Sequence, residues 1–239
     1  MKRLHIVAEG QTEESFVRRT LVDQLGLFQV SDDVRCVLTS KDKHRKDISY
    51  RGGMTNYAKA KNDILQWIKE EKNNKDVYFT TMFDYYALPD DFPGYSDAQK
   101  QVDPYKRVGM IEKAFAEDIN DRRFIPYIQL HEFESLLFSS PQSFIIEFFD
   151  KPEGIIELEK ILEEKHNPEL INDGQETAPS KRIIKIFPTY ADNKAAIGSM
   201  IAQEIGLEKL RQSCSHFGEW LSRLERLDHQ PLGTSSSAT

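Results

Sequence analysis

Apolar residues follow two alternating rhythms along the first 130 positions. Leu4-His5-Ile6-Val7-Ala8 is a short apolar run that stops at Glu9-Gly10, as a strand buried on both faces does. From Thr12 to about Leu25 the period lengthens, and Phe16, Val17 and Leu21 return at helical spacing. Val34 to Thr39, rich in β-branched residues, reads as a second strand. A helix from Tyr57 to about Glu70 turns Tyr57, Ile64, Leu65 and Ile68 inward, and Val77 to Phe83 is a third strand that ends at Asp84.

The segment Leu88-Pro89-Asp90-Asp91-Phe92-Pro93-Gly94 is dense in breakers and reads as a loop. Asp103-Pro104 then opens a helix, with Asp as cap and Pro in the first turn. Phe124 to Leu130 gives a fourth strand, in which Pro126 removes a ladder donor and predicts an edge position or a bulge. Strands separated by helices at these intervals predict an α/β fold: a mainly parallel sheet flanked by helices.

Beyond Pro141 only the helical period remains. Ser143–Phe149, Ile155–Glu164, Ser180–Ile186, Asn193–Glu204 and Cys214–Leu227 read as helices, the last with Phe217, Trp220, Leu221, Leu224 and Leu227 on one stripe. The chain thus divides into an α/β core over 1–140, a helical region over 141–230 packed on it, and a tail over 231–239.

Composition narrows the class. With 39% hydrophobic and 30% charged residues in 239, the chain is that of an ordinary globular protein. No apolar run approaches the roughly 20 residues that cross a bilayer, so no membrane role is expected. The apolar stretch behind Met1-Lys2-Arg3 ends at Glu9 with no small-residue cleavage site, unlike a signal peptide. Cys36 and Cys214 form neither a disulfide framework nor a zinc spacing, and a reducing cytoplasm is expected.

A net charge of -7 argues against indiscriminate coating of nucleic acid. Within that acidic chain, however, Lys41, Lys43, His44, Arg45, Lys46 and Arg51 crowd ahead of Gly52-Gly53. Lys43, Arg45, Lys46 and Arg51 are therefore candidate phosphate contacts, with Lys181 and Arg182 as a second set.

The candidate chemistry lies at strand ends. Glu9 ends the first strand, Gly10 is expected to allow a sharp turn, and Glu13 follows in the first helical turn, where it also complements the positive helix terminus. Glu14 is read as such a terminus complement alone. Asp84 ends the third strand, and Glu132 and Glu134 follow the fourth. The carboxyl ends of strands are where open α/β sheets bind ligands. An all-oxygen set of Glu9, Asp84, Glu132 and Glu134 suits Mg²⁺ or Mn²⁺ better than zinc. His131 is read as an ordinary hydrogen-bonded residue.

Taken together, several segments resemble one family. They are E-G-x-x-E at Glu9–Glu13, the strand ending in Asp84 with Tyr85-Tyr86, and the Pro93-Gly94 loop. To these add His131-Glu132-Phe133-Glu134-x-Leu136-x-Phe138, Pro179-Ser180-Lys181-Arg182 and Phe217-x-x-Trp220-Leu221. They are similar to the bacterial family catalogued as domain of unknown function 4276, across nearly the whole chain. That family looks like a variant of the Toprim fold, the metal-binding module of topoisomerases, primases and related nucleases.

The resemblance implies a Toprim-like core in which Glu9 matches the first-strand glutamate and Glu13 the second acid of the nuclease motif. Asp84 matches the first acid of a D-x-D pair whose second position here is Tyr86, which leaves Glu132 or Glu134 to complete the set. It further implies a component of phage defence, encoded beside an ATPase of the broad class of SMC and ABC proteins. The expectation is a Mg²⁺- or Mn²⁺-dependent nuclease acting on DNA or RNA, with Glu9, Glu13, Asp84 and Lys194 as catalytic residues. The alternative is a non-catalytic Toprim-like partner of that ATPase; a homo-oligomer is compatible with either.

Overall fold

The computed structural model describes residues 1–41, 49–51, 54, 56–172 and 177–227, and of 38–41 and 49–51 the backbone alone. Strand β1 (Lys2–Ala8) leads into α1 (Gln11–Phe16), a π-helical stretch Val17–Leu21, and α2 (Val22–Leu27). Then come β2 (Val30–Cys36), an antiparallel pair β3 (Leu38–Lys41) and β4 (Ser49–Arg51), and α3 (Tyr57–Glu70). β5 (Val77–Asp84) is followed by a short α4 (Tyr95–Ala98), α5 (Pro104–Ile119), β6 (Phe124–Ile125) and β7 (Ile128–Gln129). The rest is helical: α6 (Glu134–Leu137), a 3-10 segment Pro141–Ile146, α7 (Pro152–Lys165), α8 (Pro179–Ile186), α9 (Lys194–Ile205), α10 (Leu207–Ser213) and α11 (Ser215–Glu225).

The main sheet runs β2-β1-β5-β6, with β7 also on β5, and every pairing in it is parallel. The expected α/β architecture with a mainly parallel sheet flanked by helices is therefore present. All strands of the main sheet point the same way, so Glu9, Asp84 and the segment after β7 share one edge. β6 and β7 are one expected strand in two pieces at the sheet margin, interrupted at Pro126-Tyr127. Threonines on β5 fill the interruption. The Thr81 hydroxyl accepts the Tyr127 N–H at 3.0 Å and donates to the Tyr127 carbonyl at 3.0 Å. Its neighbour Thr80 donates to the Ile125 carbonyl at 2.5 Å and accepts the Trp220 indole N–H at 2.9 Å.

Side chains of β1 alternate between two cores, as a strand's period of two requires. Leu4, Ile6 and Ala8 face α1, α2 and the later helices, whereas Val7 faces α3 and α5. Phe16 of α1 packs on Phe133 at 5.3 Å and Phe217 of α11 at 6.0 Å between ring centroids. Phe217, Leu221 and Leu224 are completely buried in the same cluster as Leu4 and Ile6. At about 1.5–3 kcal/mol for each fully buried side chain, α11 contributes much of what covers this face of the sheet.

Three expectations change. β2 starts at Val30 and ends at Cys36, because its first half, Ser31-Asp32-Asp33, is polar edge strand with no apolar signal. In α3 the inward face is Tyr57, Ala60, Ile64 and Trp67, and Leu65 is on the solvent side. Pro141–Ile146 is a 3-10 turn in place of a helix over Ser143–Phe149. No helix among the described residues is long and apolar enough to cross a membrane.

Candidate metal centre

β1 delivers Glu9 to the carboxyl edge of the sheet, with its N–H on the Met82 carbonyl at 3.0 Å. Gly10 has φ -148° and ψ -169°, extended backbone that any residue adopts, so the turn does not rest on glycine's freedom. It is held by its cap: the buried Glu13 carboxylate accepts the Gly10 N–H at 2.8 Å. Glu14 does more than complement the helix terminus; it binds the Arg18 guanidinium at 2.9 Å and accepts from the Cys36 thiol at 3.0 Å.

Across the strand boundary, the Glu9 carboxylate accepts the Asp84 N–H at 3.0 Å and so ties the ends of β1 and β5 together. The Asp84 carboxyl receives the Phe133 N–H on one side, while its Oδ1 is buried without a hydrogen-bond partner. Glu134 opens α6 almost wholly buried and accepts the Tyr190 hydroxyl at 3.3 Å, with the Lys194 ammonium at 3.5 Å. Glu132 accepts the Ser180 N–H at 2.9 Å, at the start of α8. That bond brings Lys181 and Arg182, in the first turn of α8, to the margin of the acids; Arg182 is itself engaged with the Thr177 carbonyl at 2.8 Å.

These carboxyls act on one another. Burial, with the charges of Glu134 and Glu132, pushes Glu9 up to about 7 against the opposing Asp84 N–H bond. Burial and the charges of Glu9 and Glu134 push Glu13 up to about 8. Asp84 is raised well above the usual carboxylate range by burial and then by Glu13, Glu9 and Glu134. Glu134 is raised by burial and Glu132 although Lys194 opposes the shift. Without a counter-charge, such a group of acids holds protons instead.

A stability profile follows. A carboxyl whose folded pKa exceeds its unfolded value keeps its proton better in the native state. Its stabilisation is complete below about pH 4.5 and is lost as the pH rises through about 7 for Glu9 and about 8 for Glu13. Chelated protein should therefore lose on the order of 6 kcal/mol between pH 5 and pH 8 from the two groups together. Urea titrations across that range check it, and a flat profile would show that the acids do not share one field.

The expected set of Glu9, Asp84, Glu132 and Glu134 is thus brought to one edge, with Glu13 and Lys194 beside it. Among the described residues, however, no three acid, histidine or cysteine side chains are grouped to hold a cation as they are oriented. Glu9, Glu13, Glu132 and Glu134 each turn one oxygen to a donor of their own, whereas Asp84 Oδ1 has none. The donor chemistry nevertheless fits a hard divalent cation: buried oxygens, one orphaned, and more negative charge than Lys194 offsets. Lys43, Arg45 and Lys46 lie outside the described residues, and so does the side chain of Arg51 in β4.

His131 is not the hydrogen-bonded residue expected. Its φ is +63°, its ring lies 5.4 Å from that of Tyr86, and its buried Nδ1 has no partner. Burial, with help from Arg107, holds its pKa down to about 4. Tyr86, in the second D-x-D position, is 38% exposed.

Two residues of the site escaped the sequence reading. Tyr190 is completely buried with its hydroxyl on Glu134, and Gly198 makes room for it. A Cβ there would stand 2.7 Å from the Tyr190 oxygen and 3.3 Å from Phe133 Cε1. Gly198 lies four residues after Lys194, on the same face of α9, and a glycine inside an amphipathic helix is a sign of close approach. Gly→Ala in a helix usually stabilises by up to about 1 kcal/mol. Here Gly198→Ala should cost roughly 1–3 kcal/mol by overpacking, and thermal melts showing a gain would remove the steric role.

No curated protein and no solved structure matches the chain. A family model does match, from residue 8 to residue 225, spanning the motifs from Glu9 to Trp220; the chain belongs to the family described as domain of unknown function, DUF4276.

Proposed function

We propose that the protein hydrolyses phosphodiester bonds in DNA or RNA with Mg²⁺ or Mn²⁺ at the carboxyl edge of its sheet. The observation that carries this reading is the convergence of acids from three successive strand ends around one buried, unpartnered oxygen, Asp84 Oδ1. A divalent cation would supply water activation and neutralise charge on the scissile phosphate. Glu9, Asp84 and Glu134, with Glu132, are the residues to hold it, and Glu9 and Glu134 would turn from their present donors to do so.

The other groups have roles that follow from their own chemistry. Glu13, with its carboxyl pushed up to about 8, has the proton affinity of a general acid–base near neutral pH. The Lys194 ammonium, 38% exposed, can offset charge on the leaving oxygen. Lys181 and Arg182 would serve as contacts to the flanking phosphates. By family resemblance the core is Toprim-like, and the protein acts in phage defence beside an ATPase of the SMC and ABC class.

The test is incubation of purified protein with supercoiled plasmid, linear DNA and tRNA in Mg²⁺ or Mn²⁺, beside Glu9→Ala and Asp84→Ala. Cleavage should require the cation and vanish in both variants. Cleavage that survives in both would move the chemistry elsewhere.

A second reading, a non-catalytic partner of the ATPase, is favoured by Tyr86 at the second acid position and by the separate donors that engage the carboxylates. Under it no substrate is cut even with the ATPase present.

A further inference from the structure

Four large apolar side chains of the helical region stand in water: Ile145 (46% exposed), Ile146 (43%), Phe149 (75%) and Ile156 (51%). They lie on the 3-10 turn, the link after it, and the first turns of α7, and the 3-10 turn packs against α7. Single exposed apolar residues are ordinary, but four within twelve residues of chain, three of them between 145 and 149, are characteristic of an interaction face. The backbone that presents them is anchored. Phe148, next to Phe149, is buried and stacks on Phe187 at 4.2 Å, and Phe144 stacks on the same ring at 5.7 Å.

Acids dominate the charge around this set, with Lys151 within it and Lys160 one turn past Ile156 on α7 as the nearby bases in the sequence. Glu147, Asp150, Glu153 and Glu157 are all exposed, and none has an ion-pair partner among the described residues. Lys151, half-buried, is the only base between positions 145 and 157. A second copy of this chain is a poor occupant, because a two-fold contact sets the same acids against each other in a chain of net charge -7. An anionic membrane surface is disfavoured for the same reason.

We propose that residues 145–157 are a docking face for a different protein, whose contact surface is apolar at its centre and bordered by Lys and Arg. The inference does not depend on hydrolysis at the acidic site.

The experiment places a photoreactive benzoylphenylalanine at position 149 of the full chain in cells of its source, with the same probe at Val102, 90% exposed, as control. Adducts are identified by mass spectrometry, and the captured protein is purified and titrated against variants. The expected result is one protein captured at 149 and not at 102, cross-linked on a surface bearing Lys and Arg. Its dissociation constant should rise at least tenfold for Phe149→Ser and for Glu153→Lys, and should rise with salt.

Folding is controlled by the melting temperature, which should fall only slightly in Glu153→Lys, through loss of the acid in the first turn of α7. An adduct of the chain with itself or with lipid overturns the proposal. So does a level of capture equal to that at Val102, or a captured protein whose affinity ignores the charge reversal.

Discussion

Replacing Asp84 by Asn is expected to lower cleavage about 10²–10³-fold, roughly 3–4 kcal/mol of barrier, while raising the stability of the chelated protein. The two effects have one cause. Asp84 is pressed by Glu13, Glu9 and Glu134 in a buried setting, and its Oδ1 has nothing to bond. Asn keeps the shape and an oxygen for the Phe133 N–H, removes one like charge, and turns amide donors toward the acids. A gain of roughly 0.5–2 kcal/mol at pH 8 follows from the new hydrogen bonds alone.

The gain should disappear in saturating Mn²⁺, since only wild type then collects binding free energy. Thermal melts with and without Mn²⁺ therefore test the site even if no substrate has been found. Loss of stability in chelator, or an undiminished Mn²⁺ shift in Asp84→Asn, would show that Asp84 is not where the cation binds.

The part of this site that the sequence made legible is the part carried by parallel strands. Val77–Phe83 is a continuous run of strand formers because both faces of β5 are covered, and such a run has one clear end, at Asp84. Glu9 was visible for the same reason. β2 was only half visible: it lies on the outer edge of the sheet, where Ser31, Asp32 and Asp33 need no apolar face. The partners of the acids left no trace. The N–H groups of Asp84, Gly10 and Ser180 that hold Glu9, Glu13 and Glu132 belong to every sequence alike. Tyr190 is one tyrosine among 9, and only Gly198, four residues past Lys194, hinted that something large approaches α9.

Substituting Glu169 should destabilise the fold more than changing any acid of the site. Glu169 is wholly buried in a 3-10 turn after α7 and accepts the Phe217 N–H at 3.0 Å, the His216 N–H at 3.1 Å and the Tyr105 hydroxyl at 2.9 Å. The first two are free donors at the start of α11, which has no side-chain cap of its own. One carboxylate thus caps α11 from a distance and fastens it to α5.

Glu169→Ala leaves three donors unpaired and opens a cavity, at about 3–5 kcal/mol, or roughly 10 °C in a chain of this size. Glu169→Gln keeps one acceptor and should cost about half as much. Because α11 carries Trp220, whose indole N–H binds Thr80, the tryptophan fluorescence of the Ala variant should shift toward the red before global unfolding. Equal stability of the Ala variant and wild type in urea would mean that the N-terminus of α11 is satisfied by water, and that the carboxylate is not what holds this helix to the sheet.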